Sequence, residues 1–158
     1  MAEELDVTDS IDFDRSVVGV ETEVGTHEVT AEGIIAFARA TGETNPLYLD
    51  EEAARSGPYG VIIAPPAYYT SIKLQPGLDP KINFGTISFI ASQHCEFYEP
   101  MKAGDTISAT TQVSSVYAKT GRTGTMVFTV RRIVFKNHDD RVVMMVEQSN
   151  VRRDMSPA

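Results

Sequence analysis

The chain has 158 residues, 42% of them apolar, which suits one domain with a core large enough to fold without staples. Its formal charge is −8, but six of the 22 acids fall in the first 14 residues, leaving 16 acids against 14 bases, so the basic footprint that nucleic-acid binding needs is missing. A single cysteine, Cys95, excludes an internal disulfide framework and gives no basis for a cysteine-built metal site, which makes a reducing compartment, the cytoplasm, the expected location.

The acidic start, residues 1–16, carries neither a basic leader nor an apolar run, so it resembles neither a secretion signal nor a membrane anchor. It is expected to be a solvated, partly mobile arm. One domain follows over 17–153, then a short tail over 154–158. Thr30 is placed to cap a helix over "AEGIIAFARATG", in which Ile34, Ile35, Phe37, Ala38 and Thr41 share one side and Gly42 supplies the stop. Asp50 can cap a second, short helix over "EEAARSG", ended by Gly57 and Pro58. In "GVIIAPPAYYTSIKL" two prolines stand where a helix can begin, and the apolar residues on most sides predict a buried helix.

From Ile87 onward four long strands are expected: "ISFIASQHCEFYEP", "DTISATTQVSSVYAK", "TGTMVFTVRRIVFK" and "RVVMMVEQSNVRR", separated by turns at "KAGD", "KTGR" and "NHDD". In the second of them Ile107, Ala109, Thr111, Val113 and Tyr117 alternate with a more polar set that includes Ser114 and Val116, predicting one drier face. Antiparallel strands with the helices gathered early in the chain argue for an α+β domain whose sheet wraps a buried central helix.

These segments, in this order, resemble the MaoC-like hot-dog family, which includes (R)-specific enoyl-CoA hydratases and 3-hydroxyacyl-thioester dehydratases. The resemblance runs from about Val17 to Arg153 and is most specific in "FARATGETNPLYLDEEAARSGPYGVIIAPP", supported by "QHCEFYEPMKAGDTI". It implies a single hot-dog fold acting on an enoyl or hydroxyacyl thioester of coenzyme A or acyl carrier protein, with no other cofactor. In catalytic members the loop after the first helix carries an Asp and a His that handle water, and a glycine N–H at the start of the central helix holds the thioester oxygen. That chemistry needs a base near neutral pH, a carboxylate beside it and a donor aimed at the developing enolate.

At the matching positions this sequence differs. Glu43 stands for the aspartate, one methylene longer. Tyr48 stands for the histidine, and a phenol titrates at about 10 where an imidazole titrates at about 6.5. Pro66 stands for the glycine and has no N–H to offer. The three changes resemble the dyad-less, substrate-binding half of heteromeric members, so the expected partner is a second hot-dog subunit carrying the Asp and His. A homodimer in which Glu43 acts as base and Tyr48 as donor is the alternative, and a non-enzymatic acyl-thioester-binding module is a third. No catalytic residue is expected in this chain under the leading reading.

Candidate substrate contacts are Asn45, Tyr48, Ala64, Tyr68, Tyr69 and Gln93, each with a plainer reading. Asn45 before Pro46 suits loop architecture. Tyr68 and Tyr69 suit a core or a subunit interface, Tyr48 suits packing, and Gln93 suits bonding to its strand neighbours. His94 and Cys95, adjacent on a strand, point to opposite faces, which argues against a Cys-His nucleophile pair. With His27 and His138 far off in sequence, no metal site is expected. Arg131, Arg132, Arg152 and Arg153 fit solvated strand edges, or the phosphates of coenzyme A.

Overall fold

The computed structural model describes residues 5–155. Six strands form one antiparallel sheet: β1 (Leu5–Asp6), β2 (Thr22–Glu28), β3 (Ile87–Phe97), β4 (Thr106–Gly121), β5 (Gly124–Lys136) and β6 (Val142–Arg153), in the order β1-β4-β5-β6-β3, with β2 also paired to β4. The four long strands and their turns fall where the sequence places them, and Gly104, Gly124 and Asp140 take the positive φ that the turns require. β2, whose seven residues are mostly polar, is a strand that the reading of the sequence did not identify.

α1 (Ala31–Ala40) begins at Thr30, whose hydroxyl accepts from the Gly33 N–H; it buries Ile34 and Ala38 fully, and Ile34 joins the core cluster with Ile107, Ala109, Phe135 and Met144 of the sheet. Asn45 caps a four-residue helix, α2 (Pro46–Leu49), that the sequence reading treated as a turn, and Asp50 caps α3 (Glu51–Arg55) by accepting from the Glu52 and Ala53 N–H groups.

The central helix is shorter and wetter than expected. It is a six-residue 3-10 segment, Pro66–Ser71, in which Tyr68 is buried while Pro66, Ala67, Thr70 and Ser71 are exposed. The hydroxyls of Thr70 and Ser71 donate back to the Ala67 and Tyr68 carbonyls at 2.8 and 2.7 Å, tightening the turn, and the chain then leaves as an extended segment.

Two further expectations change. On β4 the register shifts between Val113 and Ser115, and one extra residue reverses the alternation, so Val116 and Ala118 are buried beyond it while Tyr117 turns to the other face and stacks on Phe128 at 4.8 Å. The acidic arm is also docked on the domain: β1 pairs with Lys119 and Thr120, and Ile11 is buried with Ile82, Val113 and Val127. Its acids Asp6 and Asp14 serve as local caps for Thr8 and Ser16. Residues 1–4 of the arm and 156–158 of the tail lie outside the described residues.

Candidate functional site

A cavity of about 310 Å³ lies between the loop that carries α2, the Ala64–Tyr69 segment and the ends of β3 and β6. Four of the six tyrosines take part: Tyr48, Tyr59, Tyr69 and Tyr98 line it, with Met101 and Met144 at its base. Its volume is at the low end of small-molecule sites, about 300–1,000 Å³. Phe97 and Tyr98, 52% and 54% exposed, form its outer wall at the end of an edge strand, β3, that pairs only with β6 among the described residues.

The folding of the two arms of the site follows from local chemistry. Asn45 Oδ1 accepts from the Leu47 N–H at 3.0 Å, and Pro46 fixes the first turn of α2, which sets Tyr48 on the cavity wall. Opposite it, the Ala64 N–H donates to the Met101 carbonyl at 2.8 Å, and Pro65 and Pro66 have no N–H. The backbone from Ala64 to Pro66 therefore offers the cavity no free donor.

The sequence candidates separate into three groups. Tyr48, Ala64, Pro66 and Tyr69 meet at the cavity. Gln93 reaches it indirectly: its amide donates to the Tyr69 hydroxyl, which also lies 3.6 Å from Cys95 Sγ. Burial and the thiol of Cys95 push the Tyr69 phenol above its ordinary pKa. Glu43, Asn45 and Tyr68 are not among the lining residues. Tyr68 instead sits in the core, edge-on to Phe37 at 5.5 Å, with its hydroxyl 3.0 Å from His27 Nε2, and burial raises its pKa.

His94 and Cys95 do diverge. Cys95 faces Tyr69, whereas His94 lies 3.2 Å from Glu96, which in turn accepts from the Tyr98 hydroxyl at 2.5 Å. That bond holds the Glu96 carboxyl below its usual range and raises the Tyr98 phenol. Among the described residues, no three His, Cys, Asp or Glu side chains are placed to hold a metal, and no helix is long and apolar enough to cross a membrane.

Sequence reasoning missed Tyr59, Phe97, Tyr98 and Met144 as cavity residues. Strand period puts Phe97 on the face of Cys95, but only the β3–β6 register, which sets Phe97 against Met144, brings the two walls together.

The profile of the FAS1-like, dehydratase domain region family matches residues 16–146. A protein of Streptomyces griseus named UPF0336 is 32% identical over 115 residues, spanning 69% of this chain and 77% of its own. Among solved structures, a MaoC-like dehydratase from Rhodospirillum rubrum superposes with a TM-score of 0.66 at 21% identity, covering 89% of this chain and 94% of its own. The HadBC 3R-hydroxyacyl-ACP dehydratase complex of Mycobacterium tuberculosis does so at 0.66 and 22%, covering 87% and 98%. With that profile matching residues 16–146, the chain belongs to the FAS1-like dehydratase domain region family, and its fold is the hot-dog fold.

Proposed function

We propose that this chain is the substrate-binding subunit of a heteromeric enoyl-thioester hydratase or 3-hydroxyacyl-thioester dehydratase, with the catalytic Asp and His supplied by a second hot-dog chain. The observation that carries the reading is the cavity itself. It has room for the head of an acyl thioester, yet a phenol takes the place of the base, Glu43 is outside the lining, and Pro66, at the position whose N–H should hold the thioester oxygen, has no N–H to give. In this reading Tyr48, Ala64 and Tyr69 form the wall against the thioester, Gln93 fixes the Tyr69 hydroxyl, and Asn45 and Tyr68 hold the frame.

Edge strand β3 favours a partner. Its ladder groups on one side are unpaired among the described residues, and Phe89 and Ile90 are 48% and 58% exposed, an arrangement that invites strand addition. A solved relative in fold, the HadBC 3R-hydroxyacyl-ACP dehydratase of Mycobacterium tuberculosis, is itself a complex.

The test is hydration of a panel of trans-2-enoyl-CoA thioesters, followed by absorbance loss, with the purified chain and then with a hot-dog protein encoded nearby. Turnover in the mixture and none from the single chain is expected. Turnover by the single chain overturns the proposal, and Glu43→Gln should then cost about 100-fold or more if Glu43 is the base.

A further inference from the structure

One face of the sheet is apolar at both ends and polar between them. At one end Phe135 of β5 and Met144 and Val146 of β6 belong to the main core; at the other, Val113, Val116, Ala118 and Val127 form a second cluster. Strand alternation carries the same face from Phe135 through Ile133 to Arg131 and Thr129, and from Met144 through Val146 to Gln148 and Asn150. The register sets Arg131 against Gln148 and Thr129 against Asn150, so the polar side chains form a band across neighbouring strands.

Two cavities open on this band, of about 360 and 140 Å³, and both are lined by Arg131 and Asp79. The larger is roofed by Gln75, Pro76 and Gly77; the smaller adds Ser88, Thr129, Asn150 and Arg152. Arg131 Nη2 donates to the Leu78 carbonyl at 2.7 Å, but Nη1 is buried and has no acceptor in the protein. Burial pulls the pKa of this guanidinium down, and the charge of Asp79 works against that shift. Asp79, the one acid in the two linings, accepts from the Lys81 N–H at 2.9 Å through one of its two oxygens. Arg132, one residue on, faces the other way and pairs with Glu147 at 3.2 Å.

We propose that this band is a distal subsite in which Arg131, with Arg152 beside it, takes the carboxylate at the far end of an acyl group whose thioester end lies in the tyrosine-lined cavity. The inference rests on reading that cavity as an acyl-thioester site. A guanidinium presents a planar fork that matches a carboxylate, and a buried donor without an acceptor is the group that such a ligand would satisfy. From Met144 at the cavity to Gln148 opposite Arg131 is four residues along β6, about 13 Å, and the core side chains Phe135 and Val146 close the face between them, so an acyl chain that spans it must push them aside. The carboxylate belongs to the acyl end because Arg131 lies under the Leu74–Pro80 segment: a Cβ placed on Gly77 would stand 2.7 Å from Nη1. Carrier phosphates, attached to a bulky solvated nucleotide, suit the outer surface instead.

The experiment is titration calorimetry of the purified full chain with three coenzyme A thioesters of equal chain length: one ending in a free carboxylate, its methyl ester, and one ending in a methyl group. The free acid is expected to bind about tenfold to a hundredfold more tightly than the other two, the scale of a charge-assisted bond. Arg131→Met should erase that gap, while Arg132→Gln should leave it intact. Equal affinity for acid and ester overturns the distal subsite without touching the cavity reading, and this ligand-side comparison stands even if Arg131→Met does not fold. Failure of all three thioesters to bind overturns the cavity reading beneath it. Coenzyme A by itself binding as tightly, and losing that affinity with Arg131→Met, overturns the assignment by placing the carrier's phosphates at Arg131.

Discussion

Gly77 is the tightest point where the segment after the central 3-10 turn crosses the sheet, and replacing it with alanine tests whether that crossing is as close as the geometry says. A Cβ there would stand 2.4 Å from Thr111 Cγ2 and 2.7 Å from Arg131 Nη1. Carbon atoms at rest lie about 3.5–4.0 Å apart, so the methyl must displace its neighbour by about 1 Å. Neither neighbour yields freely: Thr111 is buried with its hydroxyl bonded to the Arg132 carbonyl at 2.9 Å, and Arg131 is tied to Leu78. Overpacking of this kind costs about 1–3 kcal/mol, or about 2–12 °C in Tm for a chain of this size. Thr111→Ser removes the clashing methyl while keeping the hydroxyl bond, at a cost of about 0.5–1.5 kcal/mol for the lost methyl. In the double variant the Gly77→Ala penalty should therefore shrink, giving a coupling of about 1 kcal/mol. Urea unfolding of the four proteins, followed by far-ultraviolet circular dichroism at one protein concentration, measures the cycle. A Gly77→Ala change within about 0.5 kcal/mol of the parent, or strictly additive variants, would refute the close crossing.

The helix caps and the acid response give further tests. Thr30→Ala and Asp50→Ala each remove a side chain that accepts from a first-turn N–H, so each should cost about 1 kcal/mol in the same unfolding assay, and their effects should add because they cap separate helices. Asp6 and Asp14 are held below the ordinary carboxylate range chiefly by the Thr8 and Ser16 hydroxyls. Their depressed values mean that the unfolded chain takes up protons first as the pH falls, so the stabilisation is full above the ordinary carboxylate pKa, about 4, and is lost as the pH drops through the lower folded values. Stability measured between pH 6 and 3 should fall less steeply in the Asp6→Asn/Asp14→Asn variant than in the parent, and identical slopes would show that the docked arm does not contribute.

Local chemistry written in the sequence decides much of this molecule. Thr30, Asp50 and Gly42 mark helix ends, and the turn residues of "KAGD", "KTGR" and "NHDD" separate the long strands. Each of these depends on a backbone preference or a functional group carried by one residue and its near neighbours, which is why a linear reading reaches them. Tertiary structure decides what depends on register and cover. The bulge at β4 reverses which side of Tyr117 and Val116 is dry, a one-residue shift that alternation cannot show in advance. Docking of the acidic arm depends on a hydrophobic slot for Ile11 built from residues about 70 and 100 positions away. Tyr98, Met144 and Tyr69 share a cavity because β3 lies against β6, and Arg131, read in sequence as a solvated edge charge or a contact to coenzyme A phosphates, lies under a loop because β5 is in the middle of the sheet. Side chains are legible where one residue fixes its own surroundings; cavities and buried charges arise where distant segments meet, and only the packing of the sheet settles that.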